Sequence, residues 1–415
     1  MSFNFSKNCS EIINETKVVL GNRQTGQWVR ISKEVYDILK LGIENNFCLS
    51  KLMSSLYDDN DRDYIQNLYS RLCSIGIIED NDNKQTFKNK IASIEMTHRC
   101  NLKCIHCCID ADGIISENED LSTEEMKCIF DKLIIWNPNY IMLSGGEPML
   151  RKDFIELLLY LKSSYEGKII LSTNGTFIND KNVDILAKCA YKIDISLDGV
   201  DEESCSIVRG PGVFDKVINN VKLLKNTGFE KISLSMAVSD KNKHLETEFN
   251  KLNELLGTTP LVRAFTPVGR GKDNRNIFSD KGIDEVYISE EFLSDDYNKS
   301  FGICPCSAGK REVMIASNGD IYPCPSFMKS EYRLGNILKI ESLDMLSIGN
   351  KDYSEQYRLL EMIDPQNYER CKDCKVNLFC WTCPGELEEL KENKAAFEYR
   401  CKKVKPVLYK RVWGR

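Results

Sequence analysis

The stretch Cys100-Asn-Leu-Lys-Cys104-Ile-His-Cys107 sets three thiols three and then two residues apart. Thiolates this close can hold three corners of a cubane iron–sulfur cluster and leave the fourth iron without a protein ligand. Clusters that only carry electrons usually have four cysteines, whereas an open iron can bind a small molecule and react with it. A second concentration of thiols lies beyond Phe301: Cys304, Cys306, Cys324, then Cys371-x2-Cys374-x5-Cys380-x2-Cys383, and finally Cys401. Eight thiols satisfy two four-cysteine sites. Two zinc ribbons are the alternative reading of this array. The chain has 18 cysteines and only 3 histidines, so imidazole acid–base or zinc–histidine chemistry is poorly supplied.

Composition narrows the setting. At 415 residues, two or three domains are expected. The first residues, MSFNFSKNCSEIINETK, are polar and lack an apolar signal core. A cytoplasmic, reducing compartment is therefore expected, in which the thiols are metal ligands rather than disulfides. No apolar run is long enough to span a bilayer. A net charge of −6 argues against a bulk nucleic-acid binder.

The element that delivers the Cys100 loop is a strand, Ile91–Thr97. Behind it Ser122-Thr-Glu-Glu125 is a capping box for a helix whose apolar face is Met126, Ile129, Phe130 and Leu133. Further strands are expected at Tyr140–Leu143, Lys168–Ser172, Ala190–Leu197, Lys231–Val238 and Leu261–Phe265. Helices fall near 152–164, 180–189, 213–226 and 244–256. Six strand–helix units demand a parallel sheet, doubly wound or curled into a partial barrel, with chemistry at the carboxyl ends of the strands. Those ends carry Ser144-Gly145-Gly146-Glu147-Pro148, Ser172-Thr173-Asn174-Gly175, Ser196-Leu197-Asp198-Gly199 with Arg209-Gly210 following, and Pro267-Val268-Gly269-Arg270-Gly271.

On either side the pattern changes. Two apolar runs, Val18–Leu20 and Trp28–Ile31, flank a turn at Arg23–Gly26. Three helical patterns then follow, at Val35–Gly42, Leu49–Leu56 and Tyr64–Leu72. A strand pair followed by three short helices predicts a winged-helix domain over 1–80. Its nine Lys/Arg against eleven Asp/Glu have the wrong sign for phosphate binding. Residues 80–90 read as a linker. Beyond Phe301, Val313–Tyr322 predicts a hairpin turning at Asn318-Gly319.

Cys100-x3-Cys104-x2-Cys107 on the first strand, with Gly145-Gly146-Glu147-Pro148 after the second, resembles the radical S-adenosylmethionine (SAM) enzymes. The resemblance spans about residues 91–275. It implies a partial (β/α)6 barrel and a [4Fe-4S] cluster on Cys100, Cys104 and Cys107 whose open iron chelates SAM. One electron then splits the sulfonium, giving a 5′-deoxyadenosyl radical that takes a hydrogen atom from substrate. By position, Gly145, Gly146 and Glu147 take the methionine amino group, Ser196 the ribose and Arg209 the methionine carboxylate. Asn174 lines the same pocket, and His106 sits beside the adenine. Cys108 reads as a spare thiol, because a fourth thiolate would block SAM.

The cysteine array over 301–405, joined to the barrel by a bridging segment at 276–300, resembles the SPASM-type extension. That implies two auxiliary [4Fe-4S] clusters. The first would take Cys306, Cys324 and Cys383, with Cys304 as a possible fourth ligand, and the second Cys371, Cys374, Cys380 and Cys401. Two departures, the two-residue gap between Cys380 and Cys383 and the closeness of Cys304 to Cys306, leave room for an open iron in the first. Residues 1–80 resemble winged-helix domains that hold the leader of a ribosomally synthesised precursor peptide. The implied function is radical modification of such a peptide, with a sulfur-to-carbon thioether favoured over carbon–carbon crosslinking or epimerisation. A flavodoxin- or ferredoxin-type protein would supply electrons. The alternatives are a sulfatase-type formylglycine maturase, disfavoured by Pro325 after Cys324, and an iron–sulfur redox-sensing DNA regulator.

Overall fold

The computed structural model describes residues 2–79, 90–111, 113, 120–279, 286, 288, 290–303, 306–346, 351–380 and 383–414. Contacts divide the chain into two compact units. One comprises Met1–Lys88, Ile288–Cys306 and Leu360–Arg415, and the other Asn89–Tyr287 and Ser307–Leu359.

In the first unit, β1 (Asn4–Phe5) is followed by β2 (Cys9–Asn14), β3 (Lys17–Asn22) and β4 (Trp28–Ser32), the last three forming an antiparallel sheet in that order. Helices α1 (Lys33–Glu44), α2 (Leu49–Ser54) and α3 (Asp59–Ser74) then precede β5 (Ile78–Glu79), which pairs with β1. Ser32 starts α1 by accepting the Val35 amide at 3.2 Å. Leu20, Tyr36, Leu39, Leu72 and Ile77 are buried between the sheet and helices. Asn22 ties the β3–β4 turn to the end of α3. Its Nδ2 donates to the Ile75 and Gly76 carbonyls at 2.8 Å each, and its Oδ1 accepts the Gln24 amide at 2.7 Å. The expected strand pair is thus a three-stranded sheet. The added strand, β2, is an edge whose only buried residue is Ile12, so its hydrophobic signal is weak.

The same unit includes the cysteine-rich end of the chain, with helices at Pro384–Leu390 and Lys394–Trp413. The Trp28 indole donates to the Phe301 carbonyl at 2.6 Å, and its ring packs edge-on against Phe379 at 4.9 Å. Arg23 pairs with Asp364. A Cβ at Gly21 would stand 2.9 Å from the Ile303 side chain, so glycine there lets that residue seat.

The second unit is built on β6 (Ile91–Glu95), β7 (Tyr140–Ser144), β8 (Lys168–Thr173), β9 (Lys192–Ser196), β10 (Ile232–Val238) and β11 (Thr259–Ala264). They pair in parallel in sequence order. An order that never reverses has no switch point, and right-handed crossovers of one sense put every helix on the same face. This is the partial barrel, not the doubly wound sheet. The helices are α4 (Thr123–Trp136), α5 (Phe154–Ser164), α6 (Val183–Cys189), α7 (Glu202–Arg209), α8 (Val213–Asn226) and α9 (Glu246–Leu256). Helix α7 has no counterpart in the sequence-based expectation. Its signal is the cap Asp201, which accepts the Ser204 amide at 2.8 Å.

The hairpin expected near Asn318-Gly319 forms β12 (Glu312–Ile315) and β13 (Asp320–Tyr322), followed by β14 (Gly335–Asn336). Strand β12 pairs in parallel with β6 and extends the sheet to nine strands. The strand that carries the cysteine loop is therefore interior to the sheet, paired on both sides, rather than an exposed edge.

Candidate functional site

The chain leaves β6 at Glu95 and runs through Thr97–Arg99 before reaching Cys100. Asp120 pins this run, taking the Thr97 hydroxyl at 2.5 Å and Arg99 Nε at 3.0 Å. The Gly-Gly-Glu turn after β7 pins it from the other side, because the Gly146 and Glu147 amides donate to the Thr97 and Arg99 carbonyls at 2.8 Å each. Gly145 has φ +132°, and a Cβ on Gly146 would lie 2.1 Å from the Arg99 carbonyl oxygen. The two glycines thus bring backbone against backbone. An ammonium only donates, so the groups the turn can offer one are its carbonyl oxygens.

A second clasp follows β11. Gly269 has φ +53°, and a Cβ there would meet the Cys107 carbonyl at 2.4 Å. The Arg270 amide donates to that same carbonyl at 3.0 Å. Arg270 Nε donates to the Cys104 carbonyl at 3.1 Å, and Asn274 Nδ2 to that of Ile105 at 3.1 Å. The Pro267–Gly271 stretch, conspicuous in the sequence without an assigned task, holds the cysteine loop closed.

Cys100 and Cys104 are buried and Cys107 is half-buried. Burial pushes the Cys100 thiol up to about 11. The Leu102 amide at 3.4 Å and Asn174 Nδ2 at 3.8 Å point at its sulfur. Burial raises Cys104 as well, against the pull of the Arg209 and Arg270 guanidiniums. Arg209 Nη1 lies 3.7 Å from its sulfur. Among the described residues no three His, Cys, Asp or Glu side chains converge on a single ion. A cubane spreads its thiolates over separate iron atoms, so the fit is judged by what surrounds each sulfur. N–H groups and cations aimed at two of the three sulfurs suit metal-bound thiolates.

Asn174 is held in place by its neighbours. Its Nδ2 donates to Asn101 Oδ1 at 2.9 Å, and its Oδ1 accepts the Thr176 hydroxyl at 2.7 Å. Glu147 is fully buried. It takes the Asn174 amide at 2.8 Å, the Thr173 hydroxyl at 2.7 Å and the Met149 amide at 3.2 Å. Burial raises its pKa, while those donors and Arg209 pull the other way. Its carboxylate joins the ends of β7 and β8 beneath the loop. Ser196 is half-buried at the carboxyl end of β9.

His106 and Arg209 meet on Asp198. Arg209 Nε reaches Asp198 Oδ2 at 2.7 Å and His106 Nε2 reaches it at 3.0 Å. Burial disfavours the Asp198 charge, but Arg209, His106 and the Ala237 amide outweigh it and hold the carboxyl below its usual range. The His106 ring lies near-parallel to Phe278 at 6.1 Å, and Phe278 stacks on Phe265 at 4.1 Å. Asn101, Thr173, Thr176, Asp198 and Arg270 all shape this site. Sequence reasoning quoted most of their motifs but gave none of them a role, because their work is contact with other residues.

In the other unit, Cys371, Cys374, Cys380 and Cys401 lie within electrostatic reach of one another. Burial first, then Cys380, Cys401 and Cys374, push the Cys371 thiol up to about 12. Burial likewise raises Cys401, with Cys380 and Cys374 adding to it. These are the four residues grouped above as the second auxiliary set. Of the first set, Cys306 and Cys383 are half-buried in this unit, and Cys324 is buried in the unit of the barrel. Cys304 lies outside the described residues.

Residues 94–247 match the radical SAM superfamily model, and residues 304–375 the SPASM iron–sulfur cluster-binding domain. The mycofactocin maturase MftC of Mycolicibacterium smegmatis is 31% identical over 299 residues, 68% of this chain and 74% of that protein. The chain belongs to the radical SAM superfamily. As a radical SAM protein with a SPASM domain, it takes a [4Fe-4S] cluster with SAM, and auxiliary clusters. The subtilosin biosynthesis protein AlbA of Bacillus subtilis is 29% identical over 322 residues, 73% of this chain and 68% of that protein. Streptococcus suis SuiB, solved bound to SAM, superposes with a TM-score of 0.55 at 17% identity, covering 95% of this chain and 97% of SuiB. SuiB bound to its precursor peptide SuiA gives 0.53 at 16% identity, over 95% and 98%. No helix among the described residues is long and apolar enough to cross a membrane.

Proposed function

We propose that this radical SAM protein is a cytoplasmic maturase of a ribosomally synthesised precursor peptide, and that it joins a cysteine sulfur to a carbon of that peptide. The maturase half of the reading is carried by one observation, that 68% of the chain is similar to the mycofactocin maturase MftC; the thioether half rests on the departures of the first auxiliary cysteine set from the SPASM pattern. The three-stranded sheet of residues 2–79 has β2 and β4 as its terminal strands, and an extended leader could add to such an edge by main-chain hydrogen bonds. Holding the leader raises the local concentration of the segment to be modified.

Cys100, Cys104 and Cys107 would hold the SAM cluster. Cys371, Cys374, Cys380 and Cys401 would hold one auxiliary cluster. When bound, SAM and the clusters supply the radical that takes a hydrogen atom and an acceptor for the second electron. The glycine turn supplies carbonyls for the amino group of SAM, and Ser196 a hydroxyl at the ribose. A flavodoxin- or ferredoxin-type protein supplies the reducing electron. The formylglycine alternative is disfavoured because Pro325, at the first position of a 3-10 turn, stands where an acid would serve as base.

Co-production with a short, cysteine-bearing precursor peptide tests the reading. A thioether product loses two hydrogen atoms per bond, and its cysteine no longer reacts with an alkylating agent. A product that loses two hydrogens but still alkylates would replace sulfur-to-carbon bonding with carbon–carbon bonding. A peptide recovered unchanged in mass, in alkylation and in the configuration of its residues would reject maturation altogether.

A further inference from the structure

Asp198 lies two residues beyond the end of β9 with φ +58°, in the left-handed region that aspartate tolerates better than most residues other than glycine. It is 3% exposed. Its Oδ1 accepts the Ala237 amide at 2.6 Å. Its Oδ2 takes His106 Nε2 and two nitrogens of Arg209, Nε and Nη2. One guanidinium nitrogen is left over, and it is Nη1, 3.7 Å from the Cys104 sulfur. The side chain that motif position would assign to the carboxylate of SAM is therefore engaged at both of its ends.

We propose that Asp198 is a positioning residue that holds Arg209 on the Cys104 sulfur, where the guanidinium sets the reduction potential of the cluster bound there. This rests on the reading that Cys104 is a cluster ligand. Reduction adds negative charge, and a fixed cation with an N–H aimed at a ligating sulfur stabilises the reduced state. The two residues act as a unit, so removing either has the same consequence. That is a distinctive expectation for Asp198. Deleting a buried negative charge would by itself favour reduction, whereas releasing Arg209 from the sulfur disfavours it.

The test uses the full-length protein, reconstituted anaerobically and titrated by EPR, following the signal that changes when SAM is added. Arg209→Gln is expected to lower the reduced-to-oxidised ratio about tenfold at the wild-type midpoint, which is 59 mV for one electron. Asp198→Asn is expected to shift the midpoint in the same direction, and the double variant no further than either single one. Arg209→Lys keeps the charge with one donor head, and should load iron normally with a midpoint between wild type and Arg209→Gln. A higher midpoint in Asp198→Asn overturns the proposal. So does an unchanged midpoint in Arg209→Gln. Should Arg209→Gln fail to hold iron, the direction of the Asp198→Asn shift decides alone. Failure of the underlying reading looks different: Cys104→Ala would keep the SAM-responsive signal.

Discussion

Gly146→Ala probes how the barrel presents its cysteine loop. The added Cβ would lie 2.1 Å from the Arg99 carbonyl oxygen and 2.6 Å from its carbon, both backbone atoms that cannot rotate aside. Ordinary C···O approach is about 3.3 Å, so the turn must retreat by about 1.2 Å. Two hydrogen bonds of 2.8 Å, from the Gly146 and Glu147 amides to Thr97 and Arg99, are then stretched past bonding range. At about 1–3 kcal/mol for each buried group left unpaired, the local cost is roughly 2–6 kcal/mol. It falls on the segment that enters Cys100. The assay is iron content after anaerobic reconstitution, hydrogen exchange over 96–100 and 144–148, and 5′-deoxyadenosine formed with dithionite and SAM. We expect faster exchange in both segments, less iron and little nucleoside. Gly228→Ala is the control. It sits at φ +81° with nothing within 4 Å of its Cβ, so it carries a backbone penalty of about 1 kcal/mol and no displacement. Wild-type iron and SAM cleavage in Gly146→Ala would refute the reasoning.

Three further outcomes follow from other parts of the molecule. Cys401→Ala should reduce iron from about twelve to about eight atoms per chain, with 5′-deoxyadenosine production retained, because it removes one thiolate of the second auxiliary set. Zinc in the wild-type protein at this site, measured by elemental analysis, would reject the cluster. Asn22→Ala should destabilise the first unit by roughly 1–3 kcal/mol in urea, since it frees one buried and one part-buried carbonyl at the end of α3. The Asp153 carboxyl is opposed by burial but held below its ordinary value of 3.8 by Arg151 and Thr123. Its contribution is present above the unfolded pKa and lost as pH falls through the folded one. The stability gap between wild type and Asp153→Asn in urea should therefore close on acidification below about pH 4. A gap that widens there would contradict the assignment.

Legibility in the sequence followed how local each feature's cause is. The six strands were readable because each is a short apolar run bounded by turn residues, and five of the barrel helices because their apolar faces repeat at helical spacing. The partial barrel, by contrast, depends on strand order, which composition leaves open between two windings. Helix α7 escaped because its mean hydropathy is low and its cap is an aspartate paired with a serine rather than a glutamate. In the site, the Cys100 loop and the Gly145–Glu147 turn could be singled out by residue type and spacing, and the structure brings the two together. Asp198 and Arg270 act through contacts with other residues, Asp198 through Arg209, Ala237 and His106 and Arg270 by reaching back 166 residues to Cys104. The packing of Trp28 against Phe379 was likewise invisible, although it makes the first 79 residues part of one unit with the cysteine-rich end. Truncating that segment would strip a core, so leader binding is better probed by substitutions at the edges of β2 and β4.

The central claim is that the loop Cys100–Cys107 holds a cluster whose open iron is the binding site for SAM. It is tested most directly by EPR of the dithionite-reduced, reconstituted protein before and after SAM is added, with Cys100→Ala, Cys104→Ala and Cys107→Ala combined in a matched variant. The account predicts that SAM perturbs one reduced-cluster signal in the wild type. That signal should be missing from the variant, together with 5′-deoxyadenosine formation. A SAM-responsive signal that persists without the three cysteines, or a wild-type spectrum indifferent to SAM, would contradict it.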